Sequence, residues 1–292
     1  MKDYMVRAIS ANKEVRAFAV SARDTVEEMR SRHNTSPVVT AALGRLLLGG
    51  AMMGSMLQDD DLLTLSIRCN GPVEGLTVTA DSDGHVKGFA LEPEVINPVR
   101  KTDNKLDVRG IVGQGLLKVI KDQGLKAPYV GEIQLVNGEI AEDLTFYFAQ
   151  SEQTPSAVGL GILMNKENTV REAGGFIVQL LPGASEESIS ALERNVAKIS
   201  SVTDLLVDGN TPEDIIGILL QGLDPEILSQ TPVSFRCNCG TEKIEKVLIS
   251  LGKEELESLI AENKETEVKC QFCGKAYKFS VDELKLILAS LN

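Results

Sequence analysis

A chain of 292 residues with 43% hydrophobic side chains can bury most of its apolar surface in two domains of roughly 100 to 200 residues, without a covalent staple. Five cysteines are too few for a secreted disulfide scaffold and residues 1–10 lack an apolar signal core, so a cytosolic protein is expected. The formal net charge of -12 argues against a nucleic-acid partner, because phosphate binding needs a basic field.

From residue 1 to about Leu181 the pattern mixes strands with a few helices. YMVRAIS (4–10) and EVRAFAVSA (14–22) alternate or cluster apolar residues, and Asn12 and Lys13 between them suit a turn, which predicts a hairpin. Asp24 or Thr25 is the expected cap of a helix that continues, after Pro37, into the apolar run 37–58. That run approaches membrane-spanning length but holds Arg45, which costs about 2.5 to 3.5 kcal/mol at a bilayer centre, and four glycines. It reads as a buried helix, with no membrane partner. LLTLSIRCN, GLTVTADSDG and HVKGFALEP read as a three-stranded meander separated by NGP and DSDG turns. Further strands are expected over 115–122 and 129–136, a helix over 139–152, and a last hairpin around Lys166 to Asn168. Strands outnumber helices and are mostly antiparallel, so the fold class is α+β.

Pro182 and Gly183 end that block. Residues 183–232 carry nine acidic and two basic side chains, a net charge of -7, and read as short helices. Thr211 is the expected N-cap of one of them, with Pro212 in its first turn and Asp214 three residues beyond the cap. Helices this short are marginal alone, so the segment must lean on another part of the protein. Ile215, Ile216, Ile218, Leu219, Leu220 and Leu223 recur at helical spacing; they serve either to pack on the first domain or as a surface offered to other proteins. Asp224–Pro225 and Thr231–Pro232 mark the next boundary. The expected organisation is an α+β core domain over 1–182, an acidic helical linker over 183–232 and a small C-terminal module over 233–292.

That module, of a size at which metals are common staples, holds four of the five cysteines. Cys237 and Cys239 form CxC, Cys270 and Cys273 form CxxC, and each pair is followed by a glycine (Gly240, Gly274) expected to turn the backbone sharply at a metal. Four thiolates suit tetrahedral Zn(II), in a closed structural site with no open position for hydrolysis. The residues between the pairs read as two helices broken at Gly252. An inert zinc knuckle is one interpretation. The other is a site whose thiolates are also targets of peroxide.

The remaining candidates carry less. Cys69 reads as a buried structural thiol, His33 and His85 as surface or capping residues, and Glu142 and Asp143 as a solvated helix face. Ser151 and Glu152 lack a nucleophile elbow, and GQGLLK and GLGILM fall short of GxGxxG, so neither catalysis nor a nucleotide site is expected.

Three segments together resemble the redox-regulated holdase chaperone family HslO, the thirty-three-kilodalton heat-shock proteins. They are the CNC to CQFC arrangement, GEIAEDLTFYFAQSEQTPSA at 138–157, and HNTSP with the small-residue helix after it, at 33–57. The resemblance implies one Zn(2+) per chain held by Cys237, Cys239, Cys270 and Cys273 in a reduced, inactive state. It implies an oxidised state in which Cys237 pairs with Cys239 and Cys270 with Cys273, and the zinc is released. It further implies ATP-independent binding of unfolding proteins in the cytoplasm, a homodimer when oxidised, and hand-over of clients to ATP-driven chaperones. Ile215, Ile216, Leu219 and Leu220 are then the candidate client-binding positions. Two alternatives stand beside this one. A thiol-disulfide oxidoreductase lacks a thioredoxin βαβ context around Cys270, and a zinc-ribbon interaction module of the translation or transcription apparatus fits poorly with the acidity.

Overall fold

The computed structural model describes residues 2–96, 100 and 105–291. The chain divides into two compact units, Met1–Arg236 and Cys237–Asn292. In the first, Tyr4–Ser10 (β1) and Val15–Ser21 (β2) form the expected hairpin and are followed by helices Arg23–His33 (α1) and Pro37–Gly54 (α2). Leu62–Cys69 (β3), Gly75–Asp81 (β4) and His85–Ala90 (β5) make the meander. Helix Val108–Val112 (α3) leads into strands Gly115–Asp122 (β6) and Tyr129–Gln134 (β7), helix Ala141–Ser151 (α4), and the hairpin of Ser156–Met164 (β8) with Val170–Leu180 (β9). Glu186–Val196 (α5), Val202–Val207 (α6) and Pro212–Leu219 (α7) precede two further strands, Pro225–Pro232 (β10) and Ser234–Phe235 (β11).

The strands form two sheets. One is antiparallel, in the order β10-β1-β2-β9-β8; the other runs β11-β5-β4-β3-β6-β7, with only the β11–β5 pair parallel. Helix α2 contacts β3, β4 and β5 of one sheet and β2, β8 and β9 of the other, so it fills the space between them. Small residues allow that approach: a Cβ on Gly54 would stand 2.7 Å from the carbonyl oxygen of Asp81. Among the described residues α2 is the helix long and apolar enough to cross a membrane, and 89% of it is buried inside the protein. Its Arg45 reaches Glu139 at 2.8 Å.

Helix α1 starts and stops differently from the sequence expectation. Ala22 holds the N-cap position, and the N–H groups of Asp24 and Thr25 donate to the Asp3 carboxylate at 3.3 and 2.5 Å. A distant carboxylate thus replaces the local cap. The helix also does not run on through Pro37. Asn34 adopts a left-handed φ of 49° and ends α1, and Ser36 caps α2 by accepting from the Val39 N–H, with Pro37 in the first turn.

Strand β2 is buried on both faces beyond Arg16, which explains why apolar residues there do not alternate with polar ones. Phe18 and Val20 alternate with Val15, Ala17 and Ala19, and all five are fully buried. Val15, Ala17 and Ala19 meet Ala191, Leu192, Val202 and Leu206 of α5 and α6 and Ile215, Ile216, Leu219 and Leu220 from α7 and its end. The acidic segment 183–232 therefore lies within the first unit, with α5, α6 and α7 on the sheet face opposite α2. Burying those last four aliphatic side chains contributes at most about 6 to 12 kcal/mol relative to leaving them exposed. Thr211 and Asp214 form the expected capping box. Polar clips add register: Tyr4 donates to Glu213 at 2.8 Å, Asn12 to Ser188 at 2.9 Å, and Ser185 to Glu14 at 2.6 Å.

Pro225 and Pro232 bracket an edge strand, β10, where the sequence suggests only a break. Proline is tolerated there because an edge strand need not donate outwards. Seven of the eight side chains of β10 are exposed, and backbone pairing with β1 holds it. The chain then crosses to the second sheet through β11. Gly84 makes room for this crossing: at φ +83°, a Cβ there would lie 2.2 Å from the Pro232 carbonyl oxygen.

Asp143 is the clearest correction at the level of single residues. Glu142 is exposed as expected, but Asp143 is fully buried. Its Oδ1 accepts from the N–H groups of Val136, Asn137 and Gly138 at 2.7, 3.1 and 3.3 Å, and its Oδ2 from that of Ile140 at 3.0 Å. One carboxylate thereby organises the whole β7–α4 turn, in which Ile140 takes a φ of 73°. Asp143→Ala removes four bonds to a charged acceptor and is expected to cost at least about 3 kcal/mol. At roughly 2 to 4 °C per kcal/mol, the melting temperature of the first unit should fall by about 6 to 12 °C in calorimetry. A fall below about 2 °C would mean that the turn finds other acceptors.

Candidate metal centre

The second unit contains helices Thr241–Ser250 (α8) and Lys253–Ala261 (α9), strands Thr266–Lys269 (β12) and Ala276–Phe279 (β13), and helix Val281–Ala289 (α10). The break between α8 and α9 falls at Gly252, at φ 90°, as the sequence suggests. The β12–β13 hairpin and α10 were missed. A visible signal for α10 existed in Ser280 and Glu283, which form its capping box.

The hairpin positions half of the cluster. Cys270 and Cys273 sit in the turn from β12 to β13, where Gly274 at φ 71° donates to the Cys270 carbonyl at 2.8 Å and the Cys270 N–H donates to the Lys275 carbonyl at 3.0 Å. Gly274 therefore does turn the backbone at the sulfurs. Gly240 does not: its backbone is extended, at φ -161°, and it serves as the N-cap of α8 directly after Cys237 and Cys239. The CxxC pair lies in a turn between antiparallel strands and not at the start of a helix, where a thiol-disulfide oxidoreductase would gain its reactive thiolate.

All four Sγ atoms lie within 4.8 Å of one another. Cys237 Sγ is 3.8 Å from Cys270 Sγ, and Cys239 Sγ is 3.4 Å from Cys273 Sγ. A tetrahedron built on metal–sulfur bonds of about 2.3 Å has edges of about 3.8 Å, so the residues fit a tetrathiolate metal site. Cys270 and Cys273 are buried, while Cys237 and Cys239 are half-buried. Among the described residues this is the one group of His, Cys, Asp or Glu side chains gathered closely enough to hold a metal ion.

The acidities of the sulfurs of Cys237, Cys239 and Cys273 are perturbed in different directions. Burial pushes the Cys237 thiol up to about 12 and raises that of Cys273. At Cys239 burial acts in the same direction, but the Tyr277 hydroxyl, 3.1 Å from Sγ, and the neighbouring thiols outweigh it and bring the group down to about 7. Crowded thiols with raised values give up their protons when a dication takes their place, so metal binding weakens as pH falls.

The other sequence candidates belong to the first unit. Cys69 is half-buried at the end of β3, its thiol pushed up by burial. His85 contacts Asp81 and Arg236, each at 3.0 Å, and His33 closes α1. Glu152 pairs with Lys121 at 2.5 Å, beside Ser151 at the end of α4. Ile215, Ile216, Leu219 and Leu220 are all 0% exposed.

Comparison with known proteins agrees along the whole length. The family described as Hsp33 protein matches residues 3–280. The chain is 55% identical over 293 residues to the 33 kDa chaperonin of Lachnoclostridium phytofermentans and 50% identical over 294 residues to that of Clostridioides difficile, in each case covering 100% of both proteins. The crystal structure of the 33 kDa chaperonin (heat shock protein 33 homolog) of Thermotoga maritima superposes with a TM-score of 0.92 at 35% identity, covering 99% of both chains. By sequence over nearly its full length and by fold, the chain belongs to the Hsp33 family.

Proposed function

We propose that this protein is a redox-regulated, ATP-independent chaperone, a holdase of the cytoplasm and not an enzyme. The observation that carries this reading is the presence, in one chain, of four converged sulfurs and a broad aliphatic surface that the acidic segment keeps covered. Relatives named 33 kDa chaperonin support a role in binding other proteins. In the reduced state Cys237, Cys239, Cys270 and Cys273 hold one Zn(2+) per chain. The ion supplies the positive charge that keeps four adjacent sulfurs as thiolates and ties the short last unit together.

Oxidation removes those ligands. A thiolate attacks a hydroperoxide, forming an S–O bond as the O–O bond breaks; the neighbouring thiol then attacks the sulfenic acid, forming a disulfide and releasing water. Cys237 joins Cys239 and Cys270 joins Cys273, and sulfurs bonded in this way give up the ion. Disorder in 233–292 then has a short route into the acidic linker region 183–232. Cys237 follows directly on Arg236, and β10 holds to the core domain of 1–182 through backbone bonds with its side chains exposed. Once α7 lifts, Ile215, Ile216, Leu219 and Leu220 and the sheet beneath them are offered to unfolding proteins. Oxidised chains pair as homodimers, and reduction returns clients to ATP-driven chaperones.

Light scattering of a heat-unfolding test protein examines this directly. The oxidised form is expected to suppress aggregation at near-equimolar ratio while the reduced zinc form does not. Equal suppression by both forms would remove the switch, and suppression by neither would remove the chaperone reading.

A further inference from the structure

Tyr277 stands on β13, four residues after Cys273, and only 8% of it is exposed. Its hydroxyl donates to Cys239 Sγ at 3.1 Å, and the ammonium of Lys275 lies 5.0 Å from the centroid of its ring. A phenol is not needed to complete a four-sulfur metal site, and a phenylalanine ring would fill the same space in this small core. The hydroxyl therefore has an effect of its own to exert. An O–H donor directed at a sulfur occupies one of its lone pairs and draws charge from it. A cation over the ring face draws charge from the phenol in turn and makes it a stronger donor.

We propose that Tyr277 is a positioning residue of the sulfur cluster: its hydroxyl restrains Cys239 Sγ against oxidation, and Lys275 reinforces that restraint through the ring. This rests on the redox reading of the four cysteines given above. The step affected is the attack of Cys239 Sγ on a hydroperoxide. In that step an S–O bond forms and the O–O bond breaks. The sulfur loses two electrons to become a sulfenic acid, and the peroxide leaves as hydroxide or alkoxide, to be protonated by solvent. Tyr277 engages one lone pair of the sulfur and draws electron density from those that remain, so Cys239 Sγ is a weaker nucleophile toward peroxide while that hydrogen bond stands. The consequence is a raised threshold. Peroxide must be more concentrated, or act for longer, before the CxC ligands are lost. Tyr277 thereby sets the oxidant sensitivity of the site without serving as a ligand.

The test uses the full-length, reduced, zinc-loaded chain treated with hydrogen peroxide below stoichiometry. Modification of each cysteine is read by differential alkylation and mass spectrometry, and released zinc by a chromogenic chelator. Tyr277→Phe keeps the ring and removes the donor; Cys239 should then be modified about three- to tenfold faster, with one zinc still bound per chain before treatment. Cys69, which belongs to the first unit, is the internal reference and should not change. Lys275→Met should give a smaller acceleration, and the double variant should match Tyr277→Phe alone, because the lysine acts only through the phenol. An unchanged Cys239 rate in Tyr277→Phe overturns the proposal. Equal acceleration at all four cluster cysteines also overturns it, since that is the signature of a loosened module. If peroxide fails to oxidise the cluster or release zinc even from the unmodified chain, the redox reading itself falls and takes this inference with it.

Discussion

Chelating the metal from the reduced protein is expected to unfold Cys237–Asn292 and to loosen the acidic segment 183–232, while the core of residues 2–182 keeps its structure. The reason is the size of the second unit's core. Its buried apolar side chains other than cysteine are Ile244, Leu248, Leu256, Tyr277, Phe279, Leu284 and Ile287. A single core in a chain below about 70 to 80 residues rarely supplies more than about 3 to 5 kcal/mol, whereas a structural Zn(II) site contributes an apparent 10 to 16 kcal/mol, approximately, at neutral pH. Removing the metal therefore reverses the sign of the balance. Amide hydrogen exchange provides the readout: protection in α8, α9, β12, β13 and α10 should be lost, and protection in α2 retained. Cys239→Ser, which leaves three thiolates, should show the same pattern at much weaker chelation. Acid should act in the same direction. The Cys237 and Cys273 thiols sit above their ordinary values, so protons compete with the metal more strongly with each unit that the pH falls, and the unit should unfold on the acidic side first. A tail that stays exchange-protected with its thiols free and no metal present would remove the basis of the switch.

What could be read from the sequence was local. Alternating apolar residues gave β1 through β9 with ends off by up to about three residues, because a strand covered on one or two faces writes its burial directly into its pattern. The capping box at Thr211 and the CxC and CxxC pairs were legible for the same reason: each is a short-range geometry with a fixed spacing. Contacts between distant residues were not legible. Nothing near Asp24 announces that Asp3 will accept from its N–H, and nothing near Asp143 announces a turn that folds four N–H groups onto one carboxylate. Strand β10 was invisible because its side chains face outwards and its two prolines read as breakers; what holds it is the backbone of β1, more than 200 positions away. The acidic segment shows the limit most plainly. Its amphipathic helices could be read, but the face of β2 that they cover could not, since β2 is apolar on both sides and offers no hint of which side is taken by which helix. The Tyr277–Cys239 contact had no sequence signature at all.

Under the proposed function, covering that face keeps the chaperone silent, so uncovering it without touching the sulfurs should produce activity in the reduced state. Ile216→Asp is the substitution of choice. Ile216 is 0% exposed, packed with Ile215, Leu219 and Leu220 against β1 and β2. Leaving a carboxylate in that layer forfeits about 1.5 to 3 kcal/mol of burial and adds the cost of an unpaired buried charge, at least about 4 kcal/mol together. Helix α7 has a cheaper course than burying the charge: it can lift from the sheet and expose Val15, Ala17, Ala19 and Val178, which the rest of the first unit does not need moved. The reduced variant should then bind a hydrophobic dye and suppress aggregation of a heat-unfolding protein, with one zinc still bound per chain. Ile218→Asp controls for added charge on the same helix. Ile218 is only partly buried, so this change should leave α7 in place and the reduced form inactive. A detached α7, shown by exchange of its amides, in a protein that still fails to hold clients would place the client-binding surface elsewhere. Activity gained equally by both substitutions would point to charge alone. Only the asymmetric outcome ties chaperone activity to the face that α7 covers.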